Sequence, residues 1–479
     1  MSAIITNQFR KNSRELFIND IDNNTNYFIG IGKSEPWPDI GGVPESALNY
    51  SVPLPSNTPI ESNDVLQNLI SLLKVENTYA VIPRNEWVSN RVYKVYDPTD
   101  PNVFNYETQG PTAYYPCYAT HDNHIYVCLR NGDNGESTVV FPANTSTYHN
   151  PNTYTADGYA WAYVCDLPVN SNFNTDQFVD IPADLDPSTQ LTEIVNAYNS
   201  TGGLVYGFKV IDGGALLTAT DSFDDITLIG KKSDGTIIEN DPIRENGTNT
   251  TPFEVIISNN TITAINIIAS WPLEYAEASV VVNGVETNII PLIAPVKGFG
   301  FSPRSDLPSF YAGLFAAYEG GVGGEAPVGL GFRQVSLVKD ATRTDNDPAA
   351  PNDTLNIYDT LQYLEVPSDV SGIPTDAGTI ISHASNKAKA YLDYIDSNSV
   401  PNRIYYHQNS SGEVNQKPFE TGNVLFAIPG GTPGNQKNVT ALGQGEYNQG
   451  SGKTLFLENR KAILRNNNQQ EDIKLVIQF

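Results

Sequence analysis

Phe253–Ile268 reads FEVIISNNTITAINII, and its periodicity decides the fold class. Side chains alternate with period two through Phe253–Ile257 and again through Ile262–Ile268, with Asn259-Asn260 between the two runs. Alternation puts successive side chains on opposite faces of an extended chain, and the asparagine pair supplies a tight turn. The same signature continues outward: Ser279–Val282 runs into Asn283-Gly284. At the carboxyl end, Ile473, Leu475, Ile477 and Phe479 fall on one face, with Lys474, Val476 and Gln478 on the other. A strand that closes on the last residue is expected to sit between neighbours, because an unpaired terminus frays. Aromatics make up 10% of the chain, with 26 tyrosines and one methionine, a composition suited to strands and turns. The fold expected is mostly β and multidomain, built of antiparallel sandwich or barrel modules with a few helices.

Two helices are expected. One follows Asn63 as N-cap, with Val65, Leu66, Leu69, Ile70 and Leu73 as its apolar stripe. A weaker one covers Gln8–Phe17. Clusters of Pro and Asp at Asp97–Pro101 and Pro182–Pro187 mark boundaries, and residues 203–292 form a compact β module. Gly320–Gly324 and Asp345–Asp353 have the composition of surface loops, and Lys387–Pro418 is rich in hairpins. Gly430–Gly452 is polar and Gly-rich enough to predict a long exposed loop.

Charge narrows the functional classes. Of 479 residues, 28 are basic and 54 acidic, giving −26, yet only 17% are charged. A diffuse acidic surface repels nucleic acid and anionic lipid, so neither is an expected partner. Cys117, Cys128 and Cys165 are too few and odd in number for a disulfide framework. The amino terminus lacks the apolar core of a signal peptide, and no apolar run is long enough to span a membrane. The sequons at Asn144 and Asn246 follow from the abundance of Asn, Ser and Thr.

Some constellations have the residue types of a chemical site. Cys117-x3-His121-x2-His124-x3-Cys128 offers two thiols and two imidazoles, the donor set of a tetrahedral zinc site. All four lie on one short stretch, however, where Asp122-Asn123 makes a turn and alternation buries Cys128. His149, His383 and His407 lie elsewhere, without evident partners. Gln449–Thr454 imitates the end of a phosphate-binding loop, but Tyr447 stands where its first Gly is needed. Asp20, Asp22 and Asn24 open like a calcium loop, which Thr25 and Ile31 then break. No G-x-S-x-G elbow occurs, and glycoside hydrolysis requires a carboxylate pair at a defined separation, which the 54 acidic residues do not mark by any spacing. We assign no catalytic, cofactor or metal residue and expect no enzyme.

Five blocks carry a resemblance. They are Tyr27–Trp37 (YFIGIGKSEPW), Tyr79–Trp87 (YAVIPRNEW), Asp157–Pro168 (DGYAWAYVCDLP), Gly331–Val338 (GFRQVSLV) and Leu457–Phe479. In that order the chain resembles the gene-product-eight baseplate wedge subunits of T-even-type contractile-tailed bacteriophages. The resemblance implies a discontinuous core domain of residues 1–97 plus 305–479, with a hairpin-rich insertion near 343–450. Residues 98–187 would then be an inserted β domain, and 203–292 an additional β module outside the family pattern. It also implies a structural role in the virion tail baseplate, assembly in the host cytoplasm, contacts with other wedge proteins and pairing with a second copy as a homodimer. A receptor- or carbohydrate-binding tail protein and a tail-associated glycosidase are the rival readings. Within the blocks, Trp37 and Trp87 are expected as core anchors, and Arg84, Arg333 and Arg460 as partners of internal carboxylates.

Overall fold

The computed structural model describes residues 6–24, 26–56, 58–132, 135–139, 155–168, 171–184, 202–213, 225–245, 248–250, 252–268, 275–318, 330–344, 357–367, 369–410, 412–464 and 471–479. Both expected surface loops, Gly320–Gly324 and all of Asp345–Asp353, lie outside them, as do His149, the Asn144 sequon and Asn246. The architecture is mostly β in several antiparallel sheets, and no sheet closes into a barrel among the described residues. The chain forms two compact units. The first comprises residues 1–16, 79–313 and 476–479, and the second 17–78 and 314–475.

In the first unit, strands Tyr118–His121 and His124–Asn131 form a hairpin that Tyr159–Asp166 extends. Its turn residues, Asp122 and Asn123, take φ of 47° and 64°, the left-handed region that Asp and Asn tolerate best. Alternation gives this small sheet two buried faces. Cys117, Ile125 and Val127 pack on one side, and Ala119, Tyr126, Cys128 and Trp161 on the other. A second core gathers Ile226, Leu228, Ile243, Phe253, Ile262, Tyr275 and Val280 from residues 205–289. The hairpin read from Phe253–Ile268 forms there, Phe253–Ser258 against Thr261–Ile267, around Asn259 and Asn260 at φ 52° and 60°.

The second unit contains a five-stranded and a seven-stranded sheet. In the five-stranded sheet, Tyr27–Gly32 lies between Leu69–Lys74 and Gly331–Lys339, with Ile357–Asp359 and Lys453–Leu464 at the edges. Strands from residues 27 and 453 thus reach one sheet with a single strand between them. The seven-stranded sheet is built wholly from residues 362–443, and its core includes Leu364, Ile381, Leu392, Ile404 and Phe426.

Three expectations are corrected. The helix expected after Asn63 instead spans Pro59–Gln67, capped by Thr58, whose hydroxyl accepts from Glu61 N–H, with Pro59 at its first turn. Leu69–Lys74 then leaves the helix and becomes a strand. That strand is buried on both faces, so its apolar residues run together instead of alternating, and such a run mimics a helical stripe. Gly430–Gly452 is not one exposed loop. It supplies strands Gly434–Val439 and Ala441–Gly443 and the buried Tyr447. Finally, among the described residues the closing strand Glu471–Gln478 is an edge strand with one neighbour, and Phe479 N–H donates to Phe310 O at 2.9 Å.

Candidate functional site

Within the second unit, a buried polar cluster draws together residues far apart in sequence. The path begins at Gly32, whose neighbour Lys33 takes φ of 62° and turns the chain out of its strand. A Cβ on Gly32 would lie 2.6 Å from the carbonyl oxygen of Asn68, so only glycine allows this approach. Lys33 N–H donates to that same carbonyl at 3.0 Å. The turn directs Lys33, Ser34 and Glu35 inward. Lys33 Nζ pairs with Glu35, and the Glu35 side chain is 5% exposed.

Glu35 meets His407 and Asn409, which come at and just after the end of strand Asn402–His407. His407 Nε2 is 3.1 Å from Glu35 Oε2, and Asn409 Nδ2 donates to Glu35 Oε1 at 3.2 Å. On its other side His407 Nδ1 lies 2.9 and 3.0 Å from the two oxygens of Asp393, a side chain that is 0% exposed. Ser34 Oγ donates to Asp393 Oδ1 at 2.6 Å. Asn409 also donates to Asn68 at 2.8 Å, and Ser410 caps Asp64 through both its N–H and its hydroxyl. Fully buried charges persist only when paired and hydrogen-bonded, and here each is.

The electrostatics follow from this pairing. Burial works against a charged His407 ring, but Asp393 and Glu35 outweigh it and push its pKa up to about 10. Burial likewise opposes ionisation of Glu35, but His407 and Lys33 hold its pKa down at about 2. The ring therefore stays an imidazolium across the neutral range and donates from both nitrogens. Such a ring cannot act as a general base. Serine, histidine and aspartate do meet here, but Ser34 bonds Asp393 and His407 Nε2 faces Glu35, so no nucleophile–base pair is assembled. What this arrangement does is fix geometry.

A second set of hydrogen bonds covers a strand edge. The register between Gly331–Lys339 and Lys453–Leu464 slips after Phe332, and Arg460–Ala462 bulge from the ladder. Trp37 Nε1 donates to the carbonyl of Arg460 at 2.7 Å, and Glu45 accepts from Ala462 N–H at 3.0 Å. Arg333 Nε bonds both Glu45 oxygens at 2.8 Å, and its guanidinium also donates to Ser34 O. Lys33 lies 4.7 Å from the centre of the Trp37 ring. Uncovered edges invite pairing with other chains, so the Trp37–Glu45 segment both anchors and blunts this one. Three sequence blocks (SEPW, GFRQ and ENRKAI) thus meet through hydrogen bonds. Asp393 carries no motif in the sequence, Glu35 stands there only as part of the YFIGIGKSEPW block, and His407, expected without partners, has two carboxylates. Positions 372 apart leave no local signal of such a contact.

The other candidates are placed plainly. Arg84 bonds Thr175 O and Glu86, and Arg460 pairs with Glu458. Trp87 donates to Ser137 Oγ at 3.0 Å. The four zinc-like residues are not gathered: Cys117 and Cys128 belong to different packing clusters, and His124 bonds Asp166 at 2.6 Å. Among the described residues no group of three His, Cys, Asp or Glu side chains is placed to hold a metal. Gln449–Thr454 leads into a strand, with Gly450 and Gly452 at positive φ, and so presents no helix terminus to a phosphate.

Comparison with known proteins bears on the first two of the five blocks, Tyr27–Trp37 and Tyr79–Trp87. The family model described as "Bacteriophage T4, Gp8" matches residues 3–139. The baseplate wedge protein gp8 of Enterobacteria phage T4 is 24% identical over 213 residues, which is 38% of this chain and 60% of that protein. The chain therefore spans less than two thirds of the relative it matches. Residues 3–139 of this chain are thus similar to the gp8 family of phage proteins.

Proposed function

We propose that the chain is a structural subunit of the baseplate wedge in a contractile phage tail, residing in the virion after assembly in the host cytoplasm. The family match over residues 3–139 supports this reading above all. In keeping with it, the buried polar cluster of the second unit joins distant parts of the chain through hydrogen bonds and assembles no nucleophile–base pair. In this reading the chain works mechanically. Its β units present surfaces to other wedge proteins and to a second copy, and those contacts hold in one tail state and shift on contraction. The wedge core would be drawn from residues 1–97 and 305–479, with a hairpin-rich insertion near 343–450, 98–187 as an inserted β domain and 203–292 as an additional β module. A cryo-EM map of the intact virion tests the proposal. Density for this chain in the baseplate wedges is the expected result, and density at the fibre tips would overturn it. Sedimentation of the purified protein across concentrations tests self-pairing, with a dimer expected.

A further inference from the structure

We propose that a glutamine-lined cleft in the second unit binds a neutral, polyhydroxylated ligand of the saccharide class. Its volume of about 460 Å³ lies within the usual range of small-molecule sites. Gln67, Gln362, Gln408, Gln416, Gln444 and Gln449 all line it. None of its described lining residues carries a charge at neutral pH. That absence disfavours phosphates, carboxylates and metal ions, whose burial needs a counter-charge. A primary amide offers one acceptor and two donor hydrogens, matching a hydroxyl group that both donates and accepts.

Part of the wall is already set. Gln408 Nε2 lies 3.0, 2.7 and 2.8 Å from the carbonyls of Lys389, Asn415 and Lys417, which share its two hydrogens and leave its amide oxygen as the group for a ligand. Gln362 donates to Gln449, whose own amide reaches Gln67 O at 3.5 Å. Side chains fixed before binding lose little entropy on binding. The exposed Leu442 and Pro418 add apolar surface suited to the C–H face of a sugar ring, while Phe419 in the same wall is buried in the core. An extended peptide would also be read by amides, but the bordering strand, Ala441–Gly443, has only three residues and offers a short ladder. The saccharide reading goes beyond the wedge proposal and does not depend on it.

The test uses the full chain and saturation-transfer difference NMR with maltotriose, cellotriose and triacetylchitotriose, with sialyllactose as the anionic control. Transfer to the ring protons of at least one neutral trisaccharide is expected at roughly millimolar concentration. The double variant Gln416→Ala/Gln444→Ala changes two exposed residues outside the strands. It should weaken binding by about fivefold for each amide removed. Three results would each overturn the proposal. They are no transfer from any neutral sugar, equal binding by the variant, or displacement of the sugar by an uncharged Ser/Thr/Asn hexapeptide.

Discussion

His407 and Glu35 lie 3.1 Å apart, Nε2 to Oε2, across 372 positions of sequence, and neither side chain is more than 5% exposed. With Asp393 and Lys33 they form a compensated set, so removing one member strands the others. Glu35→Gln keeps the shape but deletes a charge. It should cost about 3 kcal/mol in urea unfolding of the second unit. A loss under about 0.5 kcal/mol, typical of surface changes, would show that the cluster contributes little.

The same pair sets a pH profile. His407 has its folded pKa raised from 6.5 to about 10, so its contribution is complete below 6.5 and is lost as pH rises through 10. Glu35 has its pKa depressed from 4.5 to about 2, so its share is complete above 4.5 and is lost as pH falls through 2. Both are intact between 4.5 and 6.5. Above that window stability should fall by about 1.4 kcal/mol per pH unit from this ring, and His407→Gln should flatten the slope. Identical slopes in the two proteins would refute the assignment.

In the first unit Asp306 is 3% exposed, and burial raises its pKa from 3.8 to about 7, against the Gly300 N–H bond and the nearby Lys11. A raised carboxyl binds its proton more tightly in the folded state, so stability falls as pH climbs from about 4 towards 7. Asp306→Asn should remove that decline and leave the unit more stable at pH 8 than the native chain. Thermal unfolding at pH 4, 6 and 8 decides the matter, and an unchanged decline would count against it.

Two glycines of one strand should respond differently to alanine. At Gly32 the new Cβ meets the Asn68 backbone carbonyl at 2.6 Å, which cannot retreat without breaking its bond from Lys33. At Gly30 it meets the side-chain tips of Leu69 and Ser336, which can rotate. Gly32→Ala should cost roughly 3 kcal/mol and Gly30→Ala roughly 1, within the range for overpacked cores. Equal or reversed losses in denaturant titration would contradict this.

Arg333 grips Glu45 through one nitrogen and Ser34 O through another, a fork that lysine cannot reproduce. Arg333→Lys should destabilise the second unit by about 2 kcal/mol. In a double-mutant cycle with Glu45→Gln, coupling above about 0.5 kcal/mol is expected, and strict additivity would argue that the contact is idle.

Legibility in the sequence was uneven for physical reasons. The Phe253–Ile268 hairpin was evident because one face is buried and the turn residues are specific. Leu69–Lys74 misled because burial on both faces erased the alternation. The sequence blocks around Trp37, Arg333 and Arg460 stood out as unusual strings. Their shared purpose, covering the Arg460–Ala462 bulge, is not encoded in any one of them.

By itself, then, the sequence determined the β character, the hairpin turns, the acidic and dilute charge, and the similarity to the gp8 family over residues 3–139. Only the tertiary structure decided that Glu35, Asp393 and His407 share one buried site and that six glutamines line one cleft. The division follows from range. Alternation and turns are set by neighbours one to four residues apart. Partners hundreds of residues apart are chosen by sheet register and burial, which no local pattern records.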